Sequence, residues 1–245
     1  MEKLALITGG SRGLGFENAK SLRAEGFDLV LVAKDPVRLS AAKAELEEIN
    51  GGSIETVSID FENLSQSARA LDSIAEEHKN ISHLIIAHAV MSEKMSKTLK
   101  TTDEEWRRVL SINLDSVFQV VNRLVPKMVE NRNGRVVIYS ACLGRMSGPG
   151  NAGGLAPYRI SKAGVNALVR NLAHETGLGA RGVLVDAVCP NHSRTDMGGP
   201  DAPRSAEEGA ATAKWLTLRE FDKSSDDFKK NTTGVLWEDQ QVIPW

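Results

Sequence analysis

Two residues in the second half of the chain have the types and the spacing to move a proton: Tyr158 and Lys162. They are four apart, so on a helix they stand one turn above each other on the same face. A free tyrosine titrates at about pH 10, too high for proton transfer near neutrality. A fixed positive charge nearby favours the phenolate and lowers that value, which makes the pair a candidate acid/base device. Tyrosine–lysine pairs at this spacing also decorate solvated helix faces, so the pair takes its meaning from its surroundings.

Those surroundings read as alternating strands and helices. Apolar runs at Leu4–Thr8, Phe27–Ala33, Ile54–Ile59, His83–Ala89, Arg135–Ala141 and Val183–Cys189 have the look of buried strands, and a short last strand is expected at Gly234–Trp237. Helical patterns fall between them: one through Ala19, Leu22 and Ala24, then Val37–Ile49, Leu64–Glu77, a start at Asp103, a long helix Ile112–Val129, Tyr158–Glu175 and Glu207–Leu218. Residues Gly144–Ala156 and 191–205 read as loops, and Asp222–Asn231 as an exposed loop. Strands alternating with helices imply right-handed crossovers and a doubly wound parallel α/β sheet of the Rossmann type, with helices on both faces. No linker or composition break divides residues 1–245, so one domain is expected. Ligands in such sheets sit at the carboxyl ends of the strands, near the switch in strand order.

The first strand runs straight into Gly9, Ser11, Arg12, Gly13, Leu14 and Gly15. Glycines there allow a tight turn and a close approach to a phosphate, and the following helix offers unpaired N–H groups and a positive dipole end. The spacing differs from the usual dinucleotide pattern, but the strand–loop–helix context is the one that motif requires. An acidic residue ending the second strand binds a ribose 2′-hydroxyl, whereas a basic group accepts a 2′-phosphate. Here the strand ends in Lys34, which with Arg12 favours NADPH; Asp35 is a competing signal for NADH.

The rest of the composition excludes other classes. Net charge is −2 with no block of like charge, against a nucleic-acid surface or a polybasic membrane patch. Hydrophobic residues make up 41%, enough for a substantial core, yet no run is long enough to span a membrane. Two cysteines, Cys142 and Cys189, do not make a disulfide framework and fit a reducing compartment. The expectation is a cytoplasmic protein without a metal site.

Thr8, Gly9, Gly13, Gly15, Asp60, Asn113, Tyr158 and Lys162, taken together, resemble the short-chain dehydrogenase/reductase family over nearly the whole chain. Cys189–Met197 and the ending Ile243–Trp245 resemble a carbonyl-reductase-like branch of it. The resemblance implies that Tyr158 exchanges the substrate proton and that Lys162 lowers its pKa and bonds the nicotinamide ribose. It implies that Asn113 holds a water linking the lysine to solvent, that Asp60 meets the adenine, and that Thr195 meets the carboxamide. Cofactor contacts are implied also at Phe61, Ala87, His88, Ala89, Pro190 and Ser193. The hydride chemistry belongs to the cofactor. A homodimer or homotetramer through the helices Ile112–Val129 and Tyr158–Glu175 is implied as well.

The chain departs from the family pattern in three places. Ala87-His88-Ala89-Val90 stands where Asn-Asn-Ala-Gly is usual, matching only at Ala89; Val90 is bulky enough to crowd the nicotinamide ribose, and His88 reads as a strand-end histidine satisfied by backbone. Ala141 stands where the family has the serine that holds the substrate carbonyl. Ser140 is its neighbour, and adjacent strand residues face opposite ways; either the strand bulges to turn Ser140 inward or that role is missing. Cys142, also near, reads as packing. Asn191 replaces a glycine at a position where positive φ is tolerated by asparagine, leaving His192 and Ser193 near the nicotinamide. The leading reading is an NADPH-preferring carbonyl reductase or alcohol dehydrogenase acting on a small molecule. A second is a dinucleotide-binding sensor or scaffold of impaired activity, on the strength of Ala141. A third, a dehalogenase or dehydratase on this fold, ranks lower because dehalogenase relatives carry arginine at the lysine position.

Overall fold

In the computed structural model, which describes residues 3–93, 97–148 and 153–245, eight strands form one sheet in the order β3-β2-β1-β4-β5-β6-β7-β8. They are β1 Leu4–Thr8, β2 Asp28–Ala33, β3 Ile54–Ser58, β4 Ile81–Ile86, β5 Gly134–Tyr139, β6 Val183–Val188, β7 Leu236–Glu238 and β8 Gln241–Ile243. The first seven run parallel, as the alternating pattern requires. The eighth lies antiparallel to β7 through a tight hairpin, and was not expected from the sequence. Its turn residues Asp239 and Gln240 both have positive φ, 50° and 57°, the twist that two-residue hairpins favour.

Because both faces of the sheet are covered, β1, β2, β5 and β6 are buried almost end to end. Helices α1 (Gly13–Ala24), α2 (Pro36–Glu47) and α7 (Ala206–Leu218) cover one face. Helices α3 (Leu64–Glu77), α5 (Ser116–Glu130) and α6 (Ala156–Glu175) cover the other. Local chemistry sets their starts. Asp35 caps α2 ahead of Pro36, and Ser205 and Glu208 form a reciprocal capping box on α7. Leu155, at φ 53°, turns the chain into α6.

Two segments depart from the sequence reading. The helix expected at Ile112–Val129 is a composite: α4 (Asp103–Leu110), one turn of π-helix Ser111–Asp115, then α5. Such single turns insert a residue and re-aim the side chains beside them. The region 222–231, read as loop, ends in the short helix α8, Phe228–Asn231. In the loop Gly144–Ala156, residues 149–152 lie outside the described part. No helix among the described residues is long and apolar enough to cross a membrane.

The strand order reverses between β1 and β4, so the loops after these two strands diverge and leave a cleft at their carboxyl ends. Every residue of the candidate site lies on that edge or just beneath it.

Candidate active site

The cleft has a volume of about 980 Å³. It brings together most of the residues singled out from the sequence: Gly9, Ser11, Arg12, Gly13, Leu14, Gly15, Lys34, Asp60, Phe61, Ala87, His88, Ala89, Ser140, Tyr158, Lys162, Pro190 and Thr195. Asn113 and Ser193 are buried behind its wall.

The glycine loop is built for close approach. Gly9 has φ 68°, and a Cβ there would come within 2.8 Å of the His88 backbone nitrogen. A Cβ on Gly15 would overlap the Gly9 carbonyl, so glycine lets α1 pack directly on the end of β1. Arg12 is the N-cap of α1, in extended backbone and without a side-chain cap bond. The first N–H groups of α1 therefore remain available to an anion.

Cations ring the far end of the cleft. Arg12 and Arg38 both pair with Asp196, Arg38 at 3.2 Å, and Lys34 pairs with Asp60 at 2.8 Å. Burial and the neighbouring Arg38 guanidinium hold Arg12 below the usual arginine range; two like charges converge beyond the end of β2. Asp35, the competing signal, caps α2 instead: its Oδ1 accepts from the N–H groups of Val37 at 2.9 Å and Arg38 at 3.2 Å. Arg38 and Asp196 escaped the sequence reading. Arg38 lies four residues past Lys34, one helical turn into α2, which is a signal available once Pro36 is recognised as the helix start. Asp60 accepts from the Glu62 N–H at 3.1 Å as well as from Lys34.

At the other end stand Tyr158 and Lys162, on one face of α6 and both buried. Their electrostatics differ from the sequence expectation. Burial pushes the Tyr158 phenol up, and negative charge on Cys189 and Cys142 adds to the rise. The Lys162 ammonium donates to the Tyr139 carbonyl at 2.8 Å and lies 5.8 Å from the Tyr158 ring centroid. Burial brings Lys162 down to about 8. The phenol is thus held protonated, and the lysine titrates close to neutrality.

Asn113 sits in the π-helical turn with no exposed surface. Its amide oxygen accepts from the Val90 N–H at 2.8 Å, and its amide nitrogen donates to the Val90 carbonyl at 2.8 Å and the Ser161 hydroxyl at 3.2 Å. The side chain clamps the loop after β4 in place through both backbone groups of Val90. The clamped Val90 borders the cleft.

Ser140 does not turn inward. Its hydroxyl is spent on Asn166 of α6 at 2.5 Å, with the Lys162 carbonyl at 3.4 Å. Ala141 faces Tyr158 instead, in an apolar cluster with Val109 and the partly buried Val90, Met91, Leu143 and Leu155. The strand keeps its alternation through this point, so Ala141 rather than the Ser140 hydroxyl stands against Tyr158. His192 and Ser193 are both tied to nearby backbone. His192 is exposed and bonded to the Gly198 carbonyl at 2.8 Å. Ser193 is buried, its hydroxyl donating to the Pro190 carbonyl at 3.0 Å. Asn191 does adopt positive φ, 58°, as expected of it.

His88 is held chiefly by two side chains, with the Ile112 backbone also acting on its ring. Nδ1 lies 2.6 Å from the Thr8 hydroxyl and Nε2 lies 2.7 Å from the Ser116 hydroxyl. The Ser116 hydroxyl already donates to the Ile112 carbonyl at 2.7 Å, so it must accept from His88, which assigns the proton to Nε2. The ring stacks on Phe61 at 4.0 Å between centroids, 17° from coplanar. Burial, and then the Lys162 charge, drives its pKa down to about 3. A neutral histidine therefore ties β1, β4 and α5 together under the cleft floor.

A doubly wound sheet, a glycine turn at its switch point and a buried tyrosine–lysine pair define a dinucleotide-dependent oxidoreductase. Residues 3–205 match the family described as short chain dehydrogenase. The 3-oxoacyl-[acyl-carrier-protein] reductase FabG of Staphylococcus epidermidis is 30% identical over 201 residues, covering 80% of this chain and 78% of the relative. The 3-oxoacyl-[acyl-carrier-protein] reductase of Synechocystis is 30% identical over 196 residues, covering 80% and 76%. Among solved structures, levodione reductase superposes with a TM-score of 0.80 at 27% identity, covering 96% of this chain and 94% of that one. A short-chain type dehydrogenase/reductase from Mycobacterium ulcerans gives 0.78 at 25% identity, with 96% and 87% covered. This chain belongs to the short-chain dehydrogenase/reductase family.

Proposed function

We propose that this protein is an NADPH-preferring reductase that converts a small-molecule carbonyl to an alcohol, with Tyr158 as the acid. The observation that carries the reading is the shared cleft: Tyr158 and Lys162 border one end, and Arg12, Lys34 and Arg38 border the other, with the glycine turn between. These residues fit a dinucleotide bearing a 2′-phosphate. The glycines clear a path for the pyrophosphate against the start of α1, and the cations stand beyond the end of β2. Bound there, NADPH would supply the hydride.

The chain's own residues supply position and a proton. A phenol held protonated by burial is set to donate to the substrate oxygen as the carbonyl becomes an alcohol, which favours the reductive direction. Lys162, titrating near 8, can pass a proton back to Tyr158 close to neutral pH. Asn113 acts as a positioning residue through Val90. The cluster of Val90, Met91, Val109, Ala141, Leu143 and Leu155 gives the reacting end an apolar wall, suited to an aliphatic or aromatic carbonyl compound. A homodimer or homotetramer through α5 and α6 is consistent with the exposed Phe118 and Ile160 on those helices.

A second reading, a dinucleotide-binding relative of low redox activity, is favoured by Ala141 beside Tyr158. Loss of a donor to a developing oxyanion costs about 10²–10³ in rate. Incubation with NADPH and a panel of ketones, aldehydes and quinones, followed by the loss of cofactor absorbance, separates the two. Steady consumption with at least one carbonyl compound supports the reductase. Micromolar NADPH affinity by calorimetry with no turnover across the panel supports the second reading.

A further inference from the structure

The two cysteines come together at the tip of the sheet. Cys142 opens the short 3₁₀ turn Cys142–Gly144 after β5, and Cys189 directly follows β6. Strands β5 and β6 are neighbours, paired through Tyr139 and Val188. The Cys142 backbone N–H donates to the Cys189 sulfur at 3.1 Å, which holds that sulfur against residue 142. Both are free thiols. Their surroundings are unequal. Cys142 is half-buried, with the Glu238 charge and then the opposing Arg145 charge acting on it, whereas Cys189 is 2% exposed and bonded to Glu238.

We propose that Cys142 and Cys189 form a dithiol modification site, which a hydroperoxide converts into an intramolecular disulfide beside Tyr158. The roles follow from access. The Cys142 thiolate attacks the peroxide O–O bond, forming a sulfenic acid and releasing water once the leaving oxygen takes up a proton. The Cys189 sulfur then displaces hydroxide from the Cys142 sulfur, forming the S–S bond and a second water. Two thiols lose two electrons in total, and one hydrogen peroxide gains them. The asymmetry of the thiols favours this order. The Cys189 hydrogen bond brings the Cys142 thiol down to about 6 against the effect of burial, while Cys189 is pushed up. Reactive thiols are the acidic and accessible ones, and a sulfenic acid with a thiol already in contact is captured before further oxidation. With the Cys189 sulfur already seated on the Cys142 backbone, an S–S bond of about 2.05 Å is to be closed by side-chain rotation. Negative charge on either thiol is felt at Tyr158, so the modification lies within electrical reach of the proposed acid.

The experiment is a mass measurement that needs no substrate, so its outcome is independent of the reductase reading. Native protein is treated with a few equivalents of hydrogen peroxide, and remaining thiols are alkylated in denaturant. The expected result is a chain lighter by two hydrogens and free of alkyl groups, reversed by a dithiol reductant. Tryptic peptides 136–145 and 182–194 should be joined. Cys189→Ser should leave a dimedone-trappable sulfenic acid on Cys142, and unfolded protein should form the link at least tenfold more slowly. Two alkylated cysteines after treatment, a Cys142 that runs on to two added oxygens, or a link between chains would each overturn the proposal.

Discussion

Restoring a hydroxyl at position 141 should raise turnover, and the size of the gain can be worked out from the site. Ala141 is 8% exposed, has extended backbone (φ −159°, ψ 152°), and packs against Tyr158. A serine fits that backbone without strain, and its hydroxyl would stand beside Tyr158, against which Ala141 packs. Removing one donor to a developing oxyanion costs about 2.7–4 kcal/mol in sites that evolved around it. Burying a new hydroxyl among apolar neighbours costs about 1–3 kcal/mol until substrate arrives to bond it. The difference between the two lower bounds, about 1.7 kcal/mol, corresponds to a rise in rate of somewhat more than about tenfold. The assay is NADPH consumption by Ala141→Ser on the best ketone of the panel, with kcat and KM measured separately. A rise in kcat of about tenfold with NADPH affinity unchanged is expected. A fall in kcat, or no change, in a variant of unchanged melting temperature would mean that the substrate oxygen never approaches residue 141, and the placement of the carbonyl beside Tyr158 would be wrong.

Three further outcomes follow from the geometry. Arg12→Ala or Arg38→Ala should raise the KM for NADPH about tenfold and leave that for NADH nearly unchanged, since bonds between charged groups contribute about 1.5–3 kcal/mol and these side chains are half exposed; steady-state kinetics with both cofactors decides it. His88→Ala should lower stability by about 1–3 kcal/mol, because the Thr8 and Ser116 hydroxyls lose their buried partner, as denaturant titration will register. His88 should also shape acid stability. Its pKa is about 3 in the fold, against an ordinary value near 6.5, so the folded state resists a proton that the unfolded chain accepts. That contribution is fully present above about pH 6.5 and is lost as pH falls toward 3, by a few kcal/mol in all; His88→Gln should flatten the decline in melting temperature between those limits.

Much of this architecture is legible in the residues, and the parts that are not have physical reasons. Strands buried on both faces announce themselves as unbroken apolar runs, and β1 was placed to the residue. The eighth strand did not announce itself. Gln241–Ile243 is three residues long, half exposed, and joined to β7 by Asp239-Gln240 rather than by a glycine turn. The π-turn at Ser111–Asp115 keeps the composition of a helix and so hides inside one. Ser140 shows the reach of the period-two rule: alternation alone put Ser140 and Ala141 on opposite sides, and the structure keeps them there. What alternation could not supply was the partner, Asn166, which lies 26 residues along the chain. The same holds for His88, whose two hydroxyl partners come from β1 and α5. The tyrosine–lysine spacing was legible, but its electrostatics were not, because the Tyr139 carbonyl that captures Lys162 comes from a strand 23 residues earlier.

The central claim is that the buried Tyr158 hydroxyl is the proton donor at a cleft that holds NADPH. The most direct measurement is the pre-steady-state rate of NADPH oxidation by Tyr158→Phe, set beside its NADPH dissociation constant from calorimetry. The rate should fall by about 10²–10⁴ while the dissociation constant stays within about twofold. A phenylalanine variant that oxidises NADPH as fast as the parent would contradict it.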